Sequence, residues 1–200
     1  MNTLHGKTKR QRKFRHFVTA ITLACVCPIL MESMAANASI LAERVKDINS
    51  GSGTTSPGNP RYLLTSGGTL YFAADDGISG VELWKSDGTS TGTTIVKDIN
   101  PGTASSSPWS LTDVDGIVYF AATDGVTGVE LWKSDGTSAG TVLVKDIYPG
   151  SLDSFPQYLV NLSGTLFFSA MDPSNGVELW KSDGTSAGTT LVKNIAPGAD

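Results

Sequence analysis

Between Ser106 and Gly150 the chain alternates short apolar runs with clusters of glycine, aspartate and proline. The runs are SPWSLTDV, IVYFAAT, VELWKS and TVLVKDI. They are separated by Asp115-Gly116, DGVTG and DGTSAG, and closed by Pro149-Gly150. Runs of this length, rich in β-branched and aromatic residues and bounded by turn formers, predict four β-strands and three tight connections. No stretch beyond residue 38 sustains a helical apolar period. Hairpin-length connections make the strands antiparallel, because parallel neighbours need a longer crossover.

The pattern is repeated. VELWKSDGTSAGT begins at Val129 and again at Val177, and VELWKSDGTSTGT begins at Val81, so Trp84, Trp132 and Trp180 stand 48 residues apart. A four-stranded antiparallel unit written in tandem is the form of a propeller blade. The expected fold class is all-β: tandem four-stranded antiparallel blades in a partial β-propeller, with repeats at about 58–99, 106–147 and 154–195. The segment ERVKDINSG matches the fourth strand of the repeat, so an extra strand is expected at 43–49. A solenoid of parallel coils is the alternative.

Loop lengths give a register. If Asp87–Gly92 joins the third and fourth strands, Ser86 faces Thr93, Trp84 faces Ile95 and Glu82 faces Lys97. If Asp75–Gly80 joins the second and third, Ala74 faces Val81 and Tyr71 faces Trp84. One face then carries Tyr71, Trp84 and Ile95, the other Leu70, Phe72, Leu83 and Val96. Both faces are apolar, and an isolated sheet cannot bury both, so each blade needs a neighbour. Three blades fall short of the 4–8 of closed propellers. The expectation is therefore a fragment of a longer array, with completion by association between chains as the second version.

The first 38 residues stand apart. Lys7, Lys9, Arg10, Arg12, Lys13 and Arg15 precede the apolar run FVTAITLACVCPILM, and Ala36 and Ala38 form an A-x-A pattern before Ser39. This is the layout of a secretory signal peptide over 1–38, followed by a repeat domain over 39–200. The run of 15 residues is short for a membrane span of about 20, although a signal anchor is the alternative. Cys25 hints at lipidation, but Thr22 stands where that motif wants leucine. The expected localisation is secreted or cell surface, periplasmic or extracellular, with no membrane insertion of the mature chain.

Removing the leader takes six of the 15 basic residues and one of the 19 acidic ones. The remaining 9 and 18 give a net charge of −9, against −4 for the whole chain. So acidic a surface argues against nucleic acid as a partner. Both cysteines and both histidines, Cys25, Cys27, His5 and His16, also lie in the leader. The mature chain thus has no disulfide, no thiolate or imidazole zinc ligand, and no Ser–His or Cys–His nucleophile.

Little candidate chemistry is left. The three tryptophans could stack on sugars, but mid-strand positions opposite aliphatic residues suit packing between blades. Glu82, Glu130 and Glu178 could act as acid–base carboxylates. A catalytic pair, however, needs two different environments, and three copies in one context do not supply them, so a cross-strand Glu–Lys pair is expected. Asp87-Gly88-Thr89 and its copies suit a tight turn. A calcium role is conceivable there, yet the alternating acidic positions of a calcium loop are missing, so no metal site and no cofactor are expected. Residues that break the repeat are better candidates: Arg61, Trp109, Gln157, Asp153 and Asp172. The first three share one place in the repeat, varying within a fixed frame, and form the weak binding-site expectation.

The recurring ELWKSDGT, followed by GT and VKDI, resembles a bacterial repeat family known by its ELW-x-x-DGT motif, over about residues 43–198. Asn194 departs from it where the earlier copies have Asp98 and Asp146. The resemblance implies a secreted or cell-surface bacterial protein of tandem β units, and implies no activity. The function expected is a non-catalytic binding or structural module for a glycan or protein ligand. The alternative is a carboxylate-based glycan-active enzyme.

Overall fold

In the computed structural model, residues 42–50, 57–195 and 197 are described. The leader expected at 1–38 lies outside them. The chain divides into a unit Met1–Glu43 and a unit Arg44–Asp200, and every strand among the described residues belongs to the second.

The strands are β1 (Arg61–Ser66), β2 (Thr69–Asp75), β3 (Val81–Ser86) and β4 (Thr94–Lys97), then β5 (Trp109–Val114), β6 (Ile117–Thr123), β7 (Val129–Ser134) and β8 (Val142–Lys145), and finally β9 (Gln157–Leu162), β10 (Thr165–Asp172), β11 (Gly176–Ser182) and β12 (Thr190–Lys193). They form three antiparallel sheets, each of four consecutive strands in chain order. The protein is an all-β array of repeated propeller-like blades. The first strands of successive sheets adjoin one another, so β1, β5 and β9 form an inner edge, with β4, β8 and β12 at the opposite edges. The first two strands of each sheet meet in a two-residue turn. In the second sheet that turn is Asp115-Gly116, with φ of 53° and 87°. Positive φ at both positions matches the right-handed twist of the flanking strands.

The register differs from the expectation in two places. Phe72, not Tyr71, lies opposite Trp84, and Ala74 lies opposite Glu82. The ladder runs one pair further than loop counting suggests, to Asp75–Val81, and the five-residue loop beyond is closed by Asp76 Oδ1 accepting from the amides of Ile78 and Ser79. A one-residue slip inverts a strand's faces. Phe72 therefore shares a face with Trp84, and Tyr71 shares one with Leu83 and Val96. Between β3 and β4, Trp84 does face Ile95, but a bulge places Leu83, not Glu82, opposite Lys97. The expected Glu–Lys pairs do not form in any of the three sheets.

The first and second sheets each bury a back face on the front face of the next. Tyr71, Leu83, Val96 and Ile99 pack on Val118, Phe120, Ala122 and Trp132. Tyr119, Leu131, Val144 and Ile147 pack on Leu166, Phe168, Ala170 and Trp180. Trp132 and Trp180 thus fill the space between blades, while Trp84 lies on the front of the first sheet. The segment 43–49, expected as an extra strand, pairs with no strand among the described residues. Instead Ile48 packs on Phe72 and Trp84, and Lys46 Nζ donates to the Thr93 carbonyl at 2.7 Å.

Candidate functional site

The repeated motif is a set of joints. Glu130, at the second position of β7, is fully buried. Its carboxylate accepts from the amides of Ile147, Tyr148 and Ser154 and, at 2.6 Å, from the Ser154 hydroxyl. Glu82 does the same for Ile99 and Ser106, and Glu178 accepts from Ile195. Each of the first two glutamates therefore fastens the linker that leads into the following sheet. Ser106 and Ser154 begin the S-x-P segments Ser106-Ser107-Pro108 and Ser154-Phe155-Pro156. That spacing was the one available signal for the joint.

The remaining motif residues are engaged in the same way. Lys85 Nζ donates to the Gly136 carbonyl and Lys97 Nζ to the Thr141 carbonyl, both in the next sheet at 2.8 Å. Lys133 and Lys145 repeat this on Gly184 and Thr189. Asp135 Oδ1 accepts from the amide and hydroxyl of Thr137. Those bonds hold its carboxyl below the usual range, as the matching threonines do for Asp87 and Asp183. A Cβ at Gly140 would lie 2.1 Å from Asp135 Oδ1, so only glycine closes the loop. Each of these aspartates is thus folded onto its own loop through Oδ1. No group of three acidic or other ligating side chains is gathered among the described residues.

Two repeat-breaking candidates also have structural partners. Asp153 Oδ1 accepts from the Val129 amide at 2.7 Å, taking the place that Ser105 Oγ holds on Val81. Asp172 accepts from the amides of Ser174 and Asn175 and closes the β10–β11 loop around Pro173.

Burial pushes Glu130 up to about 7, against the opposing pull of the Ser154 hydroxyl and the three amides. It pushes Glu82 up as well, against Ser106 and neighbouring amides. A carboxyl whose folded pKa exceeds its unfolded value contributes stability that is present below about pH 4.5 and lost as pH rises through about 7. Thermal unfolding should therefore occur at least about 3 °C higher at pH 5.5 than at pH 8.5. Glu130→Gln should shrink that difference. An unchanged or higher midpoint at pH 8.5 in the parent would refute this account.

Arg61, Trp109 and Gln157 open β1, β5 and β9 at one register position, opposite Ala73, Ala121 and Ser169. Each is followed by a bulge whose next residue has positive φ: Tyr62 at 57°, Ser110 at 55° and Tyr158 at 55°. That conformation is uncommon for any residue with a side chain and is strained for tyrosine. Bulges of this kind re-aim side chains at the ends of strands. Tyr62 and Tyr158 are accordingly exposed on the inner edge, at 51% and 78%. Arg61 and Tyr62 meet Trp109, with Ser107, Pro108 and Val81, around an open cleft of about 130 Å³ between the first two sheets. Arg61 and Trp109 are thus brought together, whereas Gln157 lies outside this cleft. Tyr62 joins them although the sequence pattern did not single it out. An aromatic residue beside the varying position was the available signal.

No protein-family model matches the chain, and no curated protein matches it. Among solved structures it is similar to a chain described as the crystal structure of the computationally designed Ika8 protein in one crystal packing. The identity is 17% and the TM-score 0.39, over 71% of this chain and 37% of the other. The chain therefore spans well under half of that protein's length.

Proposed function

We propose that the protein is a non-catalytic binding module, secreted or at the cell surface, of the ELW-x-x-DGT kind. Its ligand is a glycan that engages the inner-edge cleft between β1 and β5. The observation that carries this reading is the meeting of Arg61 and Trp109, each beside a bulge, with Tyr62 at a positive φ, while the repeated side chains around them serve as joints. An aromatic face supports a sugar ring through its C–H groups. A guanidinium beside it pairs bidentately with a carboxylate or sulfate, which points to an acidic saccharide. A cleft of about 130 Å³ is far below the roughly 300–1,000 Å³ of an enclosing pocket. It suits one unit of a polymer held on an open surface. The absence of catalysis is supported by Glu82 and Glu130, whose oxygens are engaged by linker donors in the core.

The test is a glycan array with and without calcium, followed by titration of the best binder. Arg61→Ala and Trp109→Ala should each weaken binding by about tenfold, corresponding to some 1.4 kcal/mol. Calcium should make no difference. Failure of every acidic glycan to bind, or binding indifferent to both substitutions, would refute the proposal.

A further inference from the structure

The back of the third sheet has the chemistry of a joint, and no sheet among the described residues packs on it. Leu83 and Leu131 are 0% exposed, and their equivalent Leu179 is 38% exposed. Val96 and Val144 are 6% and 5% exposed, against 43% for Val192. Ile99 and Ile147 are both 4% exposed, against 67% for Ile195. Lys181 and Lys193, which correspond to Lys85 and Lys97, are exposed where those lysines are half-buried against the next sheet.

The front of the first sheet is the matching half. The hydroxyls of Tyr71 and Tyr119 lie 2.4 and 2.2 Å from where a Cβ would sit on Gly136 and Gly184. Around Gly88, the equivalent glycine, there is open space. Among the described residues, Ile48 is the one apolar side chain contributed to that front from outside the sheet, where the other two joints each have a tyrosine, a leucine, a valine and an isoleucine. Phe72 and Trp84 are nevertheless buried. Lys46 bonds the Thr93 carbonyl as Lys97 bonds that of Thr141. Residues 45–49, VKDIN, repeat 96–100. The segment is a placeholder for the outer strand of a preceding blade.

We propose that the back of the third sheet docks on the front of the first sheet of a second copy, reciprocally. In this dimer the VKDIN segment gives way to β12. Lys181 then meets the Gly88 carbonyl, and Lys193 replaces Lys46 on Thr93. The fit is argued from the chain itself, which makes this same joint twice between its own sheets. A reciprocal contact of this kind is closed, and it covers the back of the third sheet in each copy.

The experiment is sedimentation velocity on the purified protein over a range of concentrations. A dimer in equilibrium with monomer is expected. Leu179→Asp with Val192→Asp, both at exposed positions, should weaken it at least about tenfold without lowering the unfolding midpoint of the monomer. Val126→Asp, on an exposed loop elsewhere, should leave it unchanged. Lys46→Ala should tighten it, because it loosens the placeholder. A monomer at all concentrations, species that grow without limit, or a dimer indifferent to the paired substitution would each overturn the proposal. So would a dimer that responds to the paired substitution but not to Lys46→Ala, since third sheets packed back to back would behave that way.

Discussion

Glu130→Ala should lower stability by about 3–5 kcal/mol, the range for removing one partner of a buried charged network. The change leaves the amides of Ile147, Tyr148 and Ser154 and the Ser154 hydroxyl without their acceptor in a buried joint. An orphaned buried donor costs about 1–3 kcal/mol, and the linker can relax to rescue only some of them. Glu130→Gln keeps the shape and one accepting oxygen, but turns an NH2 toward some of these donors. A smaller loss of about 1–2 kcal/mol is expected. Urea unfolding measures both. Hydrogen exchange should locate the damage in residues 147–156, where the linker enters the third sheet. An alanine variant within about 1 kcal/mol of the parent would show that the joint is not held by this side chain.

The second large effect concerns Trp132, which packs between the first two sheets. Trp132→Ala should cost about 3–5 kcal/mol, as for other large core truncations. Trp132→Phe should cost far less, about 1 kcal/mol. The indole N–H of Trp132 is buried without a hydrogen-bond partner, as are those of Trp84 and Trp180. Phenylalanine keeps much of the ring and removes a donor that already bears its desolvation cost. If the two substitutions proved equally costly, the N–H would have to be making a bond.

The strands and the tandem sheets were legible because turn residues punctuate the chain at fixed intervals, and both faces of each run are apolar. The register was only half legible. Counting loop residues placed Trp84 opposite Ile95 correctly. It missed the bulge beside Leu83, and it missed that Asp75 extends the ladder while Asp76 closes the turn. Those details turned Tyr71 to the other face and separated Glu82 from Lys97. The partners of Glu82 lie 17 and 24 residues on, in the linker to the next sheet, and the S-x-P spacing is the one sequence feature that marks the joint. At the inner edge, variation at Arg61, Trp109 and Gln157 marked the position, but the positive φ beside it, which aims the side chains, has no clear signature in Tyr62, Ser110 or Tyr158.

The polar bonds across the joints run mainly from a side chain of one sheet to the main chain of the next: Lys85 to Gly136, Lys97 to Thr141, Glu82 to the amide of Ser106. The receiving partner is thus recognised by its backbone, which almost any sequence of the same shape presents. A freshly duplicated unit would find its seat ready on both sides, with no second change needed to make it fit. Gain or loss of whole units is then the easiest alteration available to this chain, and the word-for-word recurrence of VELWKSDGTS at Val81, Val129 and Val177 is what copying on such terms would leave behind.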